Sequence, residues 1–154
     1  MIKYAAIAAL AAISLSAPAF AAGDVVAGEK IAGKCKACHA IIGDDGTAIQ
    51  KGGKVGPNLY GVVGRPVASY PDFKYSDGIM AAGAKGLIWD EAMIVAYLVD
   101  PTKWLDANSG DPKAKSKMMF KLAKGGEDVA AYLASLKPAA APAADAAAAP
   151  APAP

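Results

Sequence analysis

Two thiols three positions apart, with an imidazole directly after the second, constrain this chain more than any other stretch: Cys35-Lys36-Ala37-Cys38-His39. C-x-x-C-H is the attachment signal for c-type haem. Each thiol adds across one vinyl group of the porphyrin, and the next residue comes to lie under the iron as a ligand. Three other chemistries use paired cysteines. A structural zinc site takes four Cys or His ligands, whereas the whole chain holds two Cys and one His, and no cluster of carboxylates stands ready to complete the set. A thiol–disulfide redox centre sits beside a βαβ pattern; none follows here, and His39 is left without a task. A plain structural disulfide leaves it equally idle. Haem c, held through Cys35 and Cys38 with His39 on the metal, is the reading these residues carry.

The two ends of the chain differ from its middle. Lys3 precedes an apolar run from Ala5 to Leu15, and Ala19-Phe20-Ala21 follows with small residues. That is the layout of a secretory signal peptide, and the run is short of the ~20 residues a membrane-spanning helix needs. Residues 1–21 therefore read as a leader cleaved near residue 21 or 22, which implies a periplasmic protein with no membrane span in the mature chain. Residues 138–154 are almost only Ala and Pro, with Asp145 as their one charge. They offer no large side chain to bury and their prolines interrupt helices, so they read as a disordered Ala/Pro-rich tail. Alanine at both ends inflates the 55% hydrophobic content, which is thus no mark of a membrane protein. Residues 22–137 remain, about 115 residues and one domain's worth. The formal charge of +2 falls to +1 without Lys3. Two haem propionates would bring the surface close to neutral, so nucleic-acid binding finds no support.

Helical signals dominate the domain. Asp24 is placed to cap a first helix carrying Ala27, Ile31 and Ala32 on one side. A second begins at Asp90, carries Ile94, Tyr97 and Leu98, and stops at Asp100-Pro101, where Pro101 opens a further turn through Trp104 and Leu105. The last places Val129, Tyr132, Leu133 and Leu136 at i, i+3, i+4 and i+7, with Glu127 and Asp128 in its first turn and Pro138 beyond its end. Sustained strand alternation is absent. The class is all-α, a few helices joined by long glycine-rich loops at Gly43–Gly56, Gly61–Gly83 and Ala107–Gly126. Structureless loops of that length make sense when wrapped around a flat apolar cofactor, which replaces part of the core a short chain lacks.

With His39 the only histidine, a second axial ligand within the chain comes from Met, Lys or water. Met93 lies one turn before Tyr97 on an apolar helix and reads as core, and Met80, between Gly78 and Gly83, reads as packing too. Met118 and Met119 sit in a lysine-rich loop where packing explains them poorly, and only one of an adjacent pair can face a metal.

Several further stretches resemble the class I c-type cytochromes, and within them the bacterial cytochromes c2 and c550: Gly56-Pro57-Asn58-Leu59-Tyr60-Gly61-Val62-Val63-Gly64-Arg65, Phe73-Lys74-Tyr75-Ser76, Gly86-Leu87-Ile88-Trp89, Tyr97-Leu98-Val99-Asp100-Pro101 and Lys117-Met118-Met119-Phe120. The likeness runs from Gly23 to Leu136. It implies the class I cytochrome c fold, with Met118 as the sixth ligand and the Pro57 carbonyl orienting the His39 imidazole. It also implies Arg65, Tyr75 and Trp89 around the haem propionates and Tyr97 near the Met sulfur. Three positions depart from the family pattern. Ala32 replaces an aromatic between the first and last helices, Ser116 replaces Thr near the ligand, and Met119 stands where Thr or Ile is usual.

An iron held by one imidazole and one thioether has no open site for substrate, so the implied role is one-electron transport and not catalysis. Lys34, Lys36, Lys51, Lys54, Lys113, Lys115, Lys117, Lys121 and Lys124 would ring the haem edge and steer acidic redox partners. Those implied by resemblance are a quinol:cytochrome c reductase as donor and a terminal oxidase or photosynthetic reaction centre as acceptor, met by a monomeric carrier of respiration or photosynthesis. A peroxidase-like haem enzyme and a tethered haem module are the rival functions.

Overall fold

The computed structural model describes residues 23–137; the leader expected at 1–21 and the tail expected at 138–154 lie outside the described residues. Helix α1 (Val25–Ala32) starts where the Asp24 carboxylate accepts the N–H groups of Val26 and Ala27 at 2.8 and 3.0 Å, satisfying donors that no helix can pair internally. It runs on into a 3₁₀ turn, Gly33–Ala37, which carries Cys35. A hairpin of β1 (Ile41–Ile42) and β2 (Ala48–Gln50) follows, then α2 (Asp77–Gly83), α3 (Glu91–Val99), α4 (Pro101–Asn108) and α5 (Gly126–Leu136). The Asp90 carboxylate caps α3 by accepting the Met93 N–H at 2.6 Å. Asp100 ends α3 and caps α4, with Pro101 as the first helical residue, a position where its missing N–H costs nothing.

Helix α5 packs against α1 and α3, and α4 against α2 and α3. The α1–α5 crossing is set by Gly28. A Cβ there would fall 1.9 Å from the Asp128 carbonyl oxygen and 2.8 Å from Tyr132 Cβ, so the two backbones touch. The Asp24 N–H also donates to the Asp128 carboxylate at 2.8 Å. Ala32, where an aromatic was the family's usual choice, is fully buried in this contact.

The interior is divided. One cluster gathers Ala32, Ile41, Ile94, Leu98, Leu122, Val129, Ala130, Tyr132 and Leu133. A second gathers Val67, Ile79, Ala82, Trp104, Leu105 and Ala114. Of the half-buried apolar residues around them, Trp89 alone packs against both. Helix α3 serves both sides, with Ile94 and Leu98 in the first cluster and Met93 and Tyr97 against the second.

The helical class is as expected, with three differences in detail. The Gly61–Gly83 stretch is not all loop: α2 closes it, burying Ile79 and Ala82 at i and i+3. Met80, expected to pack, lies on the outer face of that helix and is 51% exposed. The hairpin was also unforeseen, since strands of two and three residues show no alternation. Its turn is built by Asp45, whose carboxylate accepts the Thr47 N–H at 2.9 Å and the Thr47 hydroxyl at 2.8 Å.

Candidate functional site

The 3₁₀ turn after α1 arranges the thiols. The N–H groups of Cys38 and His39 both reach the Cys35 carbonyl, at 3.0 and 2.9 Å, which folds the five-residue motif into one compact knuckle. Cys35 is half-buried and Cys38 exposed, and the two sulfurs are not joined. Burial, helped by the neighbouring Cys38, pushes the Cys35 thiol up, so it stays protonated at neutral pH. The 52–57 loop is laced to this knuckle by Gly53 N–H to Lys36 O at 2.9 Å and Gly56 N–H to Cys38 O at 2.8 Å. That lacing delivers the Pro57 carbonyl to within 2.7 Å of His39 Nδ1. A carbonyl only accepts, so Nδ1 carries the proton and Nε2 keeps its lone pair. Burial holds the imidazole below its usual pKa, with the Pro57 bond working the other way, so the ring is neutral and its Nε2 could serve a metal. Gly56 lies flat against that ring: a Cβ would sit 2.2 Å from His39 Cε1.

A second strand-like pairing joins Arg65 to Trp89. Gly64 N–H donates to Trp89 O at 2.7 Å, Trp89 N–H to Arg65 O at 2.9 Å, and Val67 N–H to Leu87 O at 2.8 Å. The Arg65 guanidinium donates to the carbonyls of Asn58, at 3.0 Å, and Tyr60, and lies over the Tyr70 ring at 5.1 Å. It is half-buried, and among the described residues no carboxylate pairs with it. Burial accordingly pulls its pKa down, with Tyr75 and Tyr70 opposing. The Tyr75 hydroxyl accepts the Tyr70 N–H at 3.2 Å. Trp89 stacks on Trp104 at 5.0 Å, and Tyr97 meets both edge-on at 5.2 and 5.4 Å.

Tyr97 leads to the methionine loop. Its hydroxyl is 3.2 Å from the Ser116 hydroxyl, and Ser116 Oγ accepts the Met118 N–H at 3.0 Å. The Ser116 N–H in turn donates to Thr102 on α4 at 3.4 Å. Met118 is half-buried and packs against the first core cluster, whereas Met119 is 85% exposed. Met93 packs against the second cluster instead. The Ser116 hydroxyl thus ties the loop to α3.

All nine expected site residues except Cys38 are half-buried, though they include Trp, Met and Tyr side chains. A flat macrocycle with two apolar faces and a pair of carboxylates on one edge fits this set. It explains a core split in two with one indole shared, an imidazole whose Nε2 is free, and a half-buried arginine without an acid. Zinc does not fit, because among the described residues no group of three or more His, Cys, Asp or Glu comes together. A surface groove of about 660 Å³ lined by Asn58, Tyr60, Arg65, Tyr70 and Lys137, among others, includes neither thiol nor His39 nor Met118. The nine lysines of the expected ring are all exposed. Two of them are engaged: Lys117 Nζ donates to the carbonyls of Lys74 and Tyr75 at 3.3 and 3.4 Å, and Lys121 pairs with Asp100 at 2.6 Å. Sequence reasoning missed Gly56, Asn58, Thr102, Trp104 and Asp100 as parts of this frame. Asn58, whose side chain exchanges hydrogen bonds with Ile42 at 2.8 and 2.9 Å, carried a signal in its place directly after Pro57.

No family model matches the chain. It is similar to the cytochrome c2 of Rhodobacter capsulatus, 60% identical over 129 residues that cover 84% of this chain and 93% of that one. It is similar to the cytochrome c-550 of Paracoccus versutus, 53% identical over 134 residues that cover 85% and 87%. Among solved structures, the cytochrome c2 isolated from Rhodobacter capsulatus superposes with a TM-score of 0.72 over 73% of this chain and 97% of that one, at 60% identity. Ferric cytochrome c-550 from Paracoccus versutus does so with a TM-score of 0.71 over 73% and 97%, at 53% identity.

Proposed function

Because the chain belongs to the family of cytochromes c2 and c-550, we propose that it shuttles single electrons in the periplasm, with His39 and Met118 as the axial ligands of its iron. Membership makes it an electron carrier and not an enzyme, with haem c attached through Cys35 and Cys38. The haem supplies a one-electron iron couple, whose potential a soft thioether and apolar surroundings raise. The chain's own residues keep that couple stiff. Pro57 fixes the plane and tautomer of His39, as a partner on the far ring nitrogen does for a ligating histidine. Ser116, tied to Tyr97 and Thr102, holds the backbone of Met118. Arg65, Tyr75 and Trp89 receive the propionates, giving the Arg65 guanidinium the negative partner its burial calls for.

The observation that carries the ligand assignment is the contrast between two adjacent methionines, one packed inward and one 85% exposed. Met118→Ala and Met119→Ala, compared as holoproteins, test it. The first abolishes the thioether–iron charge-transfer band of the ferric protein and lets the ferrous protein take up carbon monoxide without denaturant. The second leaves both properties unchanged. The reverse result overturns the assignment.

The exposed lysines and the resemblance support a quinol:cytochrome c reductase as donor and a terminal oxidase or photosynthetic reaction centre as acceptor, each presenting an acidic face to a monomer. Support for the periplasm comes from the leader pattern of residues 1–21. Among the described residues no helix is long and apolar enough to cross a membrane.

A further inference from the structure

The segment that bears Met118 is anchored at two ends. At one end Ser116, buried, is bound to Tyr97 and Thr102. At the other, Leu122, also buried, donates its N–H to the Leu98 carbonyl at 2.7 Å. Between these anchors Lys121 Nζ meets the Asp100 carboxylate at 2.6 Å. Asp100 is a fixed post. It sits at the α3–α4 corner, its side chain is 17% exposed, its Oδ1 accepts the Lys103 N–H at 3.1 Å, and its carbonyl accepts the Trp104 N–H at 2.9 Å. Lys121 and then the Lys103 N–H hold its carboxyl below the usual range.

We infer that Asp100 and Lys121 are a positioning pair that clamps the methionine segment against the corner of α3 and α4, so Lys121 serves the coordination sphere and not partner docking. This rests on Met118 being the axial ligand. The geometry distinguishes Lys121 from its neighbours: Lys113, Lys115 and Lys124 have no acidic partner among the described residues. A clamp three residues from the thioether resists the swing by which Met118 would leave the iron.

A docking lysine and a clamping lysine differ in sign. If Lys121 acts by its charge toward a partner, removing it weakens association with an acidic protein, and removing the negative Asp100 strengthens it. If the two act as a clamp, removing either has the same effect. The experiment measures imidazole affinity of the ferric holoprotein for Asp100→Asn, Lys121→Gln and the double variant. Asn at 100 preserves the cap of α4, since Asn and Asp cap equally well. Each single variant is expected to bind imidazole roughly threefold more tightly, the scale of a partly exposed ion pair, and the double variant no more tightly than the stronger single. Unchanged affinity in both, or changes of opposite sign, overturns the inference. Lys121 is 56% exposed, so Lys121→Gln folds and keeps the test decisive. The denaturant midpoint, measured in parallel, separates a general loss of stability from a local opening. Met118→Ala in the same assay separates the two readings. If it leaves imidazole affinity unchanged, the ligand assignment fails; if it raises affinity and the pair variants do not, the clamp alone fails.

Discussion

At the scale of single residues, the site divides into what is local in sequence and what is brought together by folding. Cys35, Cys38 and His39 were readable because haem attachment demands them within five positions. Gly56 was not, for its task is defined by an imidazole seventeen residues away. With a Cβ 2.2 Å from His39 Cε1, Gly56→Ala must push the ring off its Pro57 partner. The expected cost is about 2 kcal/mol, the middle of the range for overpacking a tight contact, read from the denaturant midpoint of the holoprotein and from a weakened low-spin spectrum. Asp100 and Lys121 were equally hidden. Each had another reading in sequence, one as part of the Asp100-Pro101 helix stop and one as a docking lysine, and only the α3–α4 corner puts them 2.6 Å apart.

At the scale of elements, the long amphipathic helices and their caps were legible, and the short elements were not. α5 shows a full i, i+3, i+4, i+7 stripe, while α2 has seven residues with a glycine near each end, too little for a period to emerge. The hairpin β1–β2 is shorter still, and its register is irregular, with Ile41 opposite Gln50 and Ile42 opposite Ala48. The caps are testable. Asp90→Ala removes the acceptor of the Met93 N–H and is expected to cost about 1 kcal/mol, measured as a lower denaturant midpoint. Since α3 carries both Tyr97 and the Leu98 carbonyl that receives Leu122, the same variant should also bind imidazole more readily in the ferric state. A cap at the start of one helix is thus expected to act on the proposed ligand Met118, in the segment that Tyr97 and Leu98 anchor.

At the scale of the whole molecule, the partner-steering role proposed for the exposed lysines makes its own prediction, since a charged docking face acts through a field that salt screens over about 10 Å at 0.1 M. Lys113→Glu with Lys115→Glu is expected to slow electron exchange with an acidic protein partner by about tenfold or more at low salt and to flatten its ionic-strength dependence, measured by stopped flow. The Pro57 carbonyl was expected at the His39 imidazole from the resemblance and lies 2.7 Å from Nδ1, whereas the Arg65–Trp89 pairing and the stacking of the aromatic trio are long-range geometry that sequence alone does not display. One feature of the interior reaches back to how such a molecule comes into being. Two small apolar clusters meet only along α3 and across the Trp89 indole, so a pigment seated between them would add the contacts that join them, and a group that binds only the folded chain stabilises it. Attachment of the pigment is then expected to raise the denaturant midpoint of this polypeptide well above that of the chain exported without it.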